Sequence, residues 1–312
     1  MFRCEYGPEG SILAQPGNRV YLSSLEGLER AACDGVILEA MAVRCDERFR
    51  LTVDLGAVRG YIERDDVMYV PSGESVRDIA VITRVGKAVC FKVMGFYREN
   101  GRTVARLSRR EAQRECYDAF LSSLIPGDIL DAKVTHLENF GAFVDIGCGL
   151  ISLLSIDCIS VSRISHPSDR FRVGDRIRVV MKYHDTRNGR IFVTHKELLG
   201  TWEQNAALFA VGQTVAGIVR SIEPYGIFVE LTPNLAGLAE YRPDMTVGQT
   251  AAVYIKNMIP ERMKLKLVLI DSYRGECEPS RRVEGYPRSV SHIDRWRYSP
   301  AISQLIIETV FD

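Results

Sequence analysis

The sequence predicts an all-β protein: tandem five-stranded barrels joined by short helices. Three observations predict it. Short β-rich runs are cut by glycine and polar punctuation, the pattern repeats along the chain, and a helix-forming stretch follows each of the first two sets of strands. The 312 residues exceed one typical domain and leave room for two or three cores. Hydrophobic residues make up 46% and charged ones 26%, the usage of a folded globular chain.

Residues 1–34 read as a leader. Gly7, Pro8, Gly10, Pro16 and Gly17 punctuate it, and Ser24 to Ala32 suits a short helix with Leu25 and Leu28 on one face. Over 35–107 the runs Gly35 to Val43, Phe49 to Leu55, Gly60 to Ile62, Ile79 to Ile82, Val89 to Met94 and Val104 to Leu107 form one small β-domain. In 108–125, Ala112, Cys116, Phe120 and Leu124 recur every four residues until Pro126-Gly127, which predicts a connecting helix. Strands resume in 126–197, a second helical piece occupies 198–210, and strands return in 211–271. The segment 272–312, with Pro279, Pro287 and Pro300, reads as an irregular tail whose Trp296, Tyr298 and Ile306 dock on a neighbouring domain.

The repeat is visible residue by residue. Ile125-Pro-Gly-Asp-Ile matches Val211-Gly-Gln-Thr-Val, Glu138-Asn-Phe-Gly-Ala-Phe-Val matches Glu223-Pro-Tyr-Gly-Ile-Phe-Val, and Val173-Gly-Asp matches Val247-Gly-Gln. The segment 35–107 is a degenerate third copy. So small a unit is short of a sandwich but suits a closed barrel, which removes exposed strand edges.

The net charge is zero, with 40 basic and 40 acidic residues, so no global electrostatic attraction to polyanions exists. Between Arg163 and Lys196, however, basic residues outnumber acidic ones, which leaves room for a local basic face. The eight cysteines include no C-x-x-C pair and read as reduced core thiols; the five histidines fall into no metal-ligand spacing with them. Phosphate-loop, H-E-x-x-H and G-x-S-x-G motifs do not occur. No catalytic residue, cofactor or metal is expected. With neither a signal segment nor a membrane-length apolar run in the sequence, a cytoplasmic protein is expected.

Two aromatic pairs carry the functional reading: Phe140-Gly141-Ala142-Phe143 and Tyr225-Gly226-Ile227-Phe228, each at the turn between the first two strands of a unit. Strict alternation would put the two rings on opposite faces. The glycine permits a kink or bulge that brings both rings to one outer surface, where they would stack on bases. Supporting charges are Lys133 and His136 on the first strand, Lys182, Arg187 and Arg190 on the last hairpin, and Arg220, Lys256 and Lys264 in the next unit. The competing account is core packing for the rings and a solvated face for the cations. Duplication of the spacing favours binding. The first copy offers only Arg48-Phe49-Arg50-Leu51.

These residues resemble the S-one RNA-binding domain family: Gly127-Asp128, Phe140 to Val144, Val173-Gly174-Asp175, and Asp185 with Arg190. The resemblance covers 125–271 and, more faintly, 35–110, and implies the oligonucleotide-binding (OB) barrel. It implies that single-stranded RNA lies on Phe140, Phe143, Asp185 and Arg190 of the middle unit and on Tyr225, Phe228 and Lys264 of the last. The layout is similar to a short ribosomal-protein-S-one-like protein, which implies a role in translation, holding mRNA on the small ribosomal subunit. Where the family usually has histidine this chain has Ser155, Glu240 and Glu63. The middle unit is therefore expected to bind best, the last next, and the first to be structural or protein-facing. The alternative is a non-catalytic protein-interaction or RNA-processing accessory protein that uses the barrels as scaffold.

Overall fold

A computed structural model describes residues 6–70, 76–185, 189–273 and 285–312. Arg187, Cys4 and Cys277 lie outside the described residues. Two helices open the chain, α1 (Pro16–Leu22) and α2 (Leu25–Asp34); Ser24 caps α2 by accepting the Gly27 N–H, and Gly35 ends it in the left-handed conformation that suits glycine. The first barrel follows: β1 (Leu38–Cys45), β2 (Leu51–Asp54), β3 (Arg59–Ile62), a short α3 (Asp78–Ile82), β4 (Ala88–Glu99) and β5 (Arg102–Ser108), closed in the order β1-β2-β3-β5-β4. Helix α4 (Arg109–Ala119), capped by Ser108 accepting the Glu111 N–H, leads to the middle barrel.

The middle barrel repeats the topology with β6 (Ile129–Glu138), β7 (Gly141–Asp145), β8 (Ile151–Ser155), β9 (Arg176–Asp185) and β10 (Arg190–Thr194). The expected helix over 198–210 is two short pieces, a 3-10 turn at Lys196–Leu199 and α5 (Trp202–Ala206), separated by Gly200. The last barrel comprises β11 (Thr214–Glu223), β12 (Gly226–Thr232), β13 (Leu235–Ala239), β14 (Thr250–Ile259) and β15 (Lys264–Tyr273). In all three the third and fifth strands pair in parallel and close the barrel. Each interior is its own apolar core, filled for example by Leu51, Val53 and Phe91 in the first, Val134, Val144 and Leu154 in the middle and Val219, Val229 and Val253 in the last. Each such side chain contributes roughly 1.5–3 kcal/mol on full burial.

The described part of the tail beyond the last barrel, residues 285–312, is more ordered than expected. Its β16 (Arg295–Arg297) and β17 (Glu308–Val310) pair antiparallel, Trp296 and Tyr298 enter the last core, and Ile293 and Phe311 cover Ile129, Val180 and Leu198. Ile306, expected to dock, is exposed, and so is Cys33, expected in the core.

The barrels are joined through buried polar contacts. The leader packs between the first two: the Glu9 carboxylate meets Arg109, its backbone N–H donates to Asp145, and Glu39 accepts the N–H groups of Gly10, Ile12 and Leu13. Between the middle and last barrels Arg170 and Arg220 both pair with Glu230. These contacts absorb much of the basic run. Arg170 is buried, Arg176 donates to the Gly10 carbonyl, and Arg178 donates to the carbonyls of Tyr286 and Val290.

Candidate nucleic-acid interface

In each barrel the first strand carries a bulge, between Val134 and His136 in β6 and between Val219 and Ser221 in β11. The bulge thus lies on the first strand, opposite Phe143–Val144 and Phe228–Val229, rather than at the aromatic-glycine step. The glycines serve another purpose. A Cβ on Gly141 would stand 2.4 Å from the Leu154 carbonyl oxygen, and one on Gly226 2.5 Å from that of Ala239. Only glycine lets the second strand approach the third so closely, and the rings on either side are carried to the outer face.

Phe140, 55% exposed, meets Phe143 edge to face at 6.0 Å, and Tyr225, 69% exposed, meets Phe228 in the same way at 6.2 Å. His136 stacks on Phe143 at 6.2 Å while its Nε2 lies 2.7 Å from Glu138. The pairing continues from there: His136 opposes Phe143, Phe143 opposes Leu153, Leu153 opposes Phe192, and Phe192 opposes Tyr183. One outward residue from each of the five strands thus forms a row across the middle barrel. Tyr183 and Phe192 stack at 4.5 Å with planes 16° apart. Neither ring was among the expected site residues. The alternation in β10, where Ile191 and Val193 are buried, puts Phe192 on the face of Arg190 and could have found it.

Two residues beyond this row on the same strands, Asp185 opposes the exposed Arg190. Lys182 is the extra residue of the β9 bulge; its ammonium lies 3.4 Å from the Cys158 sulfur. Burial opposes its charge, but the neighbouring Cys158 and Asp157 outweigh it and raise its pKa. Ser155, where the family usually has histidine, donates to Asp157, and this bond holds that carboxyl below its ordinary value.

The register transfers these positions to the last barrel. Its row reads Ser221, Phe228, Leu238, Lys266 and Asn257, with Lys264 in the place of Arg190 and the exposed Lys256 in that of the bulged Lys182. Two expected cations lie elsewhere. Arg220, the extra residue of the β11 bulge, has an 8% exposed side chain held by Glu230 and Asp169, because it faces the seam with the middle barrel. Lys133 donates to the Glu9 carbonyl at 3.0 Å and so ties down the leader.

With this geometry established, residues 123–196 match the family model described as the S1 RNA binding domain. The middle barrel is an S1 domain. The chain is also 30% identical over 250 residues to the small ribosomal subunit protein bS1 of Mycolicibacterium smegmatis, covering 74% of this chain and 50% of that protein. With bS1 of Staphylococcus aureus it is 32% identical over 193 residues, 60% of this chain and 47% of that one. The chain therefore spans half or less of the length of these curated relatives. A solved multidomain protein with nucleic acid binding domains from Streptococcus pneumoniae aligns over 78% of this chain and 76% of its own, at 15% identity and a TM-score of 0.23. The S1 domain contains the whole five-residue row from His136 to Phe192. Among the described residues, no group of three His, Cys, Asp or Glu side chains could hold a metal ion, and no helix is long and apolar enough to cross a membrane.

Proposed function

We propose that the chain binds single-stranded RNA without catalysing a reaction, and that it acts in translation by holding mRNA on the small ribosomal subunit, in the cytoplasm. The observation that carries this reading is the cross-strand row of the S1 domain, His136–Phe143–Leu153–Phe192–Tyr183, extended by Phe140 and flanked by Asp185 and Arg190. Every base has a π-face, so such a surface is tolerant of sequence, and the flanking cations Arg190 and Lys182 meet phosphates. Tyr225, Phe228, Lys256, Lys264 and Lys266 extend the track on the last barrel with fewer rings and more charge. Similarity to bS1 proteins supports the ribosomal part of the reading.

The test is fluorescence anisotropy of a labelled pyrimidine-rich single-stranded RNA at low and physiological salt, with wild type and Phe140→Ala/Phe143→Ala. Salt-sensitive binding that the double substitution weakens tenfold or more is expected, on the basis of about 1–3 kcal/mol per stacked base. Absence of binding at low salt overturns the reading in favour of a protein-interaction surface, whose apolar contacts would respond little to salt.

A further inference from the structure

The first barrel has the same register as the other two, so its outer row can be read position by position. Arg44 opposes Thr52, Thr52 opposes Tyr61, Tyr61 opposes Arg106, and Arg106 opposes Gly95, with bulges at the equivalent places after Ala42 and Val93. Where the S1 domain has His136, Phe143, Leu153, Phe192 and Tyr183, this barrel has Arg44, Thr52, Tyr61, Arg106 and Gly95. The row has changed from aromatic to basic.

Its one ring is not open to a base. The Arg50 guanidinium sits over Tyr61 at 4.1 Å from the ring centroid, fixed there by Asp46 at 3.1 Å and Glu99 at 3.0 Å. The neighbouring Phe49 has Arg64 over it at 5.7 Å. Arg50 is neutralised by its two carboxylates. Arg44 and Arg106 are both exposed, and neither side chain makes an ion pair or hydrogen bond among the described residues. Thr52 and Tyr61 stand between them in the row, so they suit two phosphates rather than one.

We infer that the first barrel is a backbone-binding site for RNA, gripping phosphodiesters with Arg44 and Arg106 where the S1 domain's row stacks bases. This deepens the RNA reading above and rests on it. RNA would then be held by its bases on the S1 domain and by its charge on the first barrel, giving that barrel a ligand and not only a structural task.

The experiment measures the salt dependence of affinity for two labelled single-stranded RNAs, one of about 6 nucleotides, within the span of one barrel, and one of about 30. For single strands log K falls with log salt at roughly −0.7 per phosphate neutralised, so Arg44→Ala/Arg106→Ala should flatten the slope for the long RNA by about 1.4. The slope for the short RNA should not change, and Arg44→Lys/Arg106→Lys should restore the long-RNA slope, since a phosphate requires charge rather than a planar fork. If wild type binds but the Arg44→Ala/Arg106→Ala slope for the long RNA is unchanged, this inference alone is overturned. An equal change with the short RNA overturns the assignment to separate nucleotides. If wild type binds neither RNA at low salt, both readings fall.

Discussion

Glu9 and Arg109, one hundred residues apart, form a two-point ion pair at the seam of the first and middle barrels, with Nε and Nη2 donating to the carboxylate at 2.6 and 3.0 Å. The Arg109 and Glu9 side chains are 3% and 8% exposed. Burial by itself would raise the Glu9 pKa, but Arg109 overrides it and holds the carboxyl below its ordinary value. Its stabilisation is therefore present above the unfolded-state pKa and lost as pH falls through the folded one.

Glu9→Ala strands a buried guanidinium and should cost about 3–5 kcal/mol, whereas replacing both Glu9 and Arg109 by methionine should cost less than the single change. Denaturant unfolding of the two variants checks this. Equal losses would mean that the ion pair is not what holds the leader.

The stacked pair Tyr183 and Phe192 should matter to RNA as much as the aromatic turn does. Phe192→Ala and Tyr183→Ala are each expected to weaken single-stranded RNA binding roughly tenfold, from about 1–3 kcal/mol per stacked base. Phe192→Leu keeps apolar bulk without the ring and should behave like the alanine variant in an anisotropy titration.

Gly141→Ala should destabilise the S1 domain by about 1–3 kcal/mol, because the new methyl meets the Leu154 carbonyl oxygen and the backbone of β7 must move away from β8. Thermal unfolding would show the loss. Anisotropy below the transition should show weaker RNA binding as well, since Phe140 and Phe143 ride on that strand.

His292 fastens the tail to the middle barrel. Its Nδ1 lies 2.7 Å from Asp128 and its Nε2 3.2 Å from Asp294, while beside it the Ile129 N–H donates to the Ser291 carbonyl and the Ile293 N–H to the Gly127 carbonyl. The Asp128 hydrogen bond raises the imidazole pKa above its ordinary value, against a smaller opposing effect of burial. Tail docking should therefore be firmest below about pH 6.5, the unfolded-state value, and loosen as pH rises through the raised one. Hydrogen-exchange protection of the Ile129 and Ile293 amides, corrected for intrinsic rates, should fall over that window in wild type and stay flat in His292→Gln.

Much of this molecule is legible in one sequence because its signals are local. The repeat, the restart of strands after each helical piece and the aromatic-glycine pairs depend on near neighbours along the chain, and they lead to barrels with Phe140, Phe143, Tyr225 and Phe228 on the outside. The alternation of β10 puts Phe192 on the outer face, but that Phe192 and Tyr183 continue the row of Phe143 is not legible, since they lie far along the chain from it and join the row through Leu153 only when β8 and β10 pair in parallel. The cations divide for a related reason. Lys133, Arg170 and Arg220 look like Arg190 and Lys264 in sequence, yet only tertiary packing assigns the first three to seams with the leader and between barrels, where buried carboxylates or carbonyls receive them. Sequence by itself determined the barrels and the aromatic step, through strand alternation and glycine's small size. Tertiary structure alone decided which charges remain free for a ligand, because a charge's availability depends on partners that the chain brings from far away.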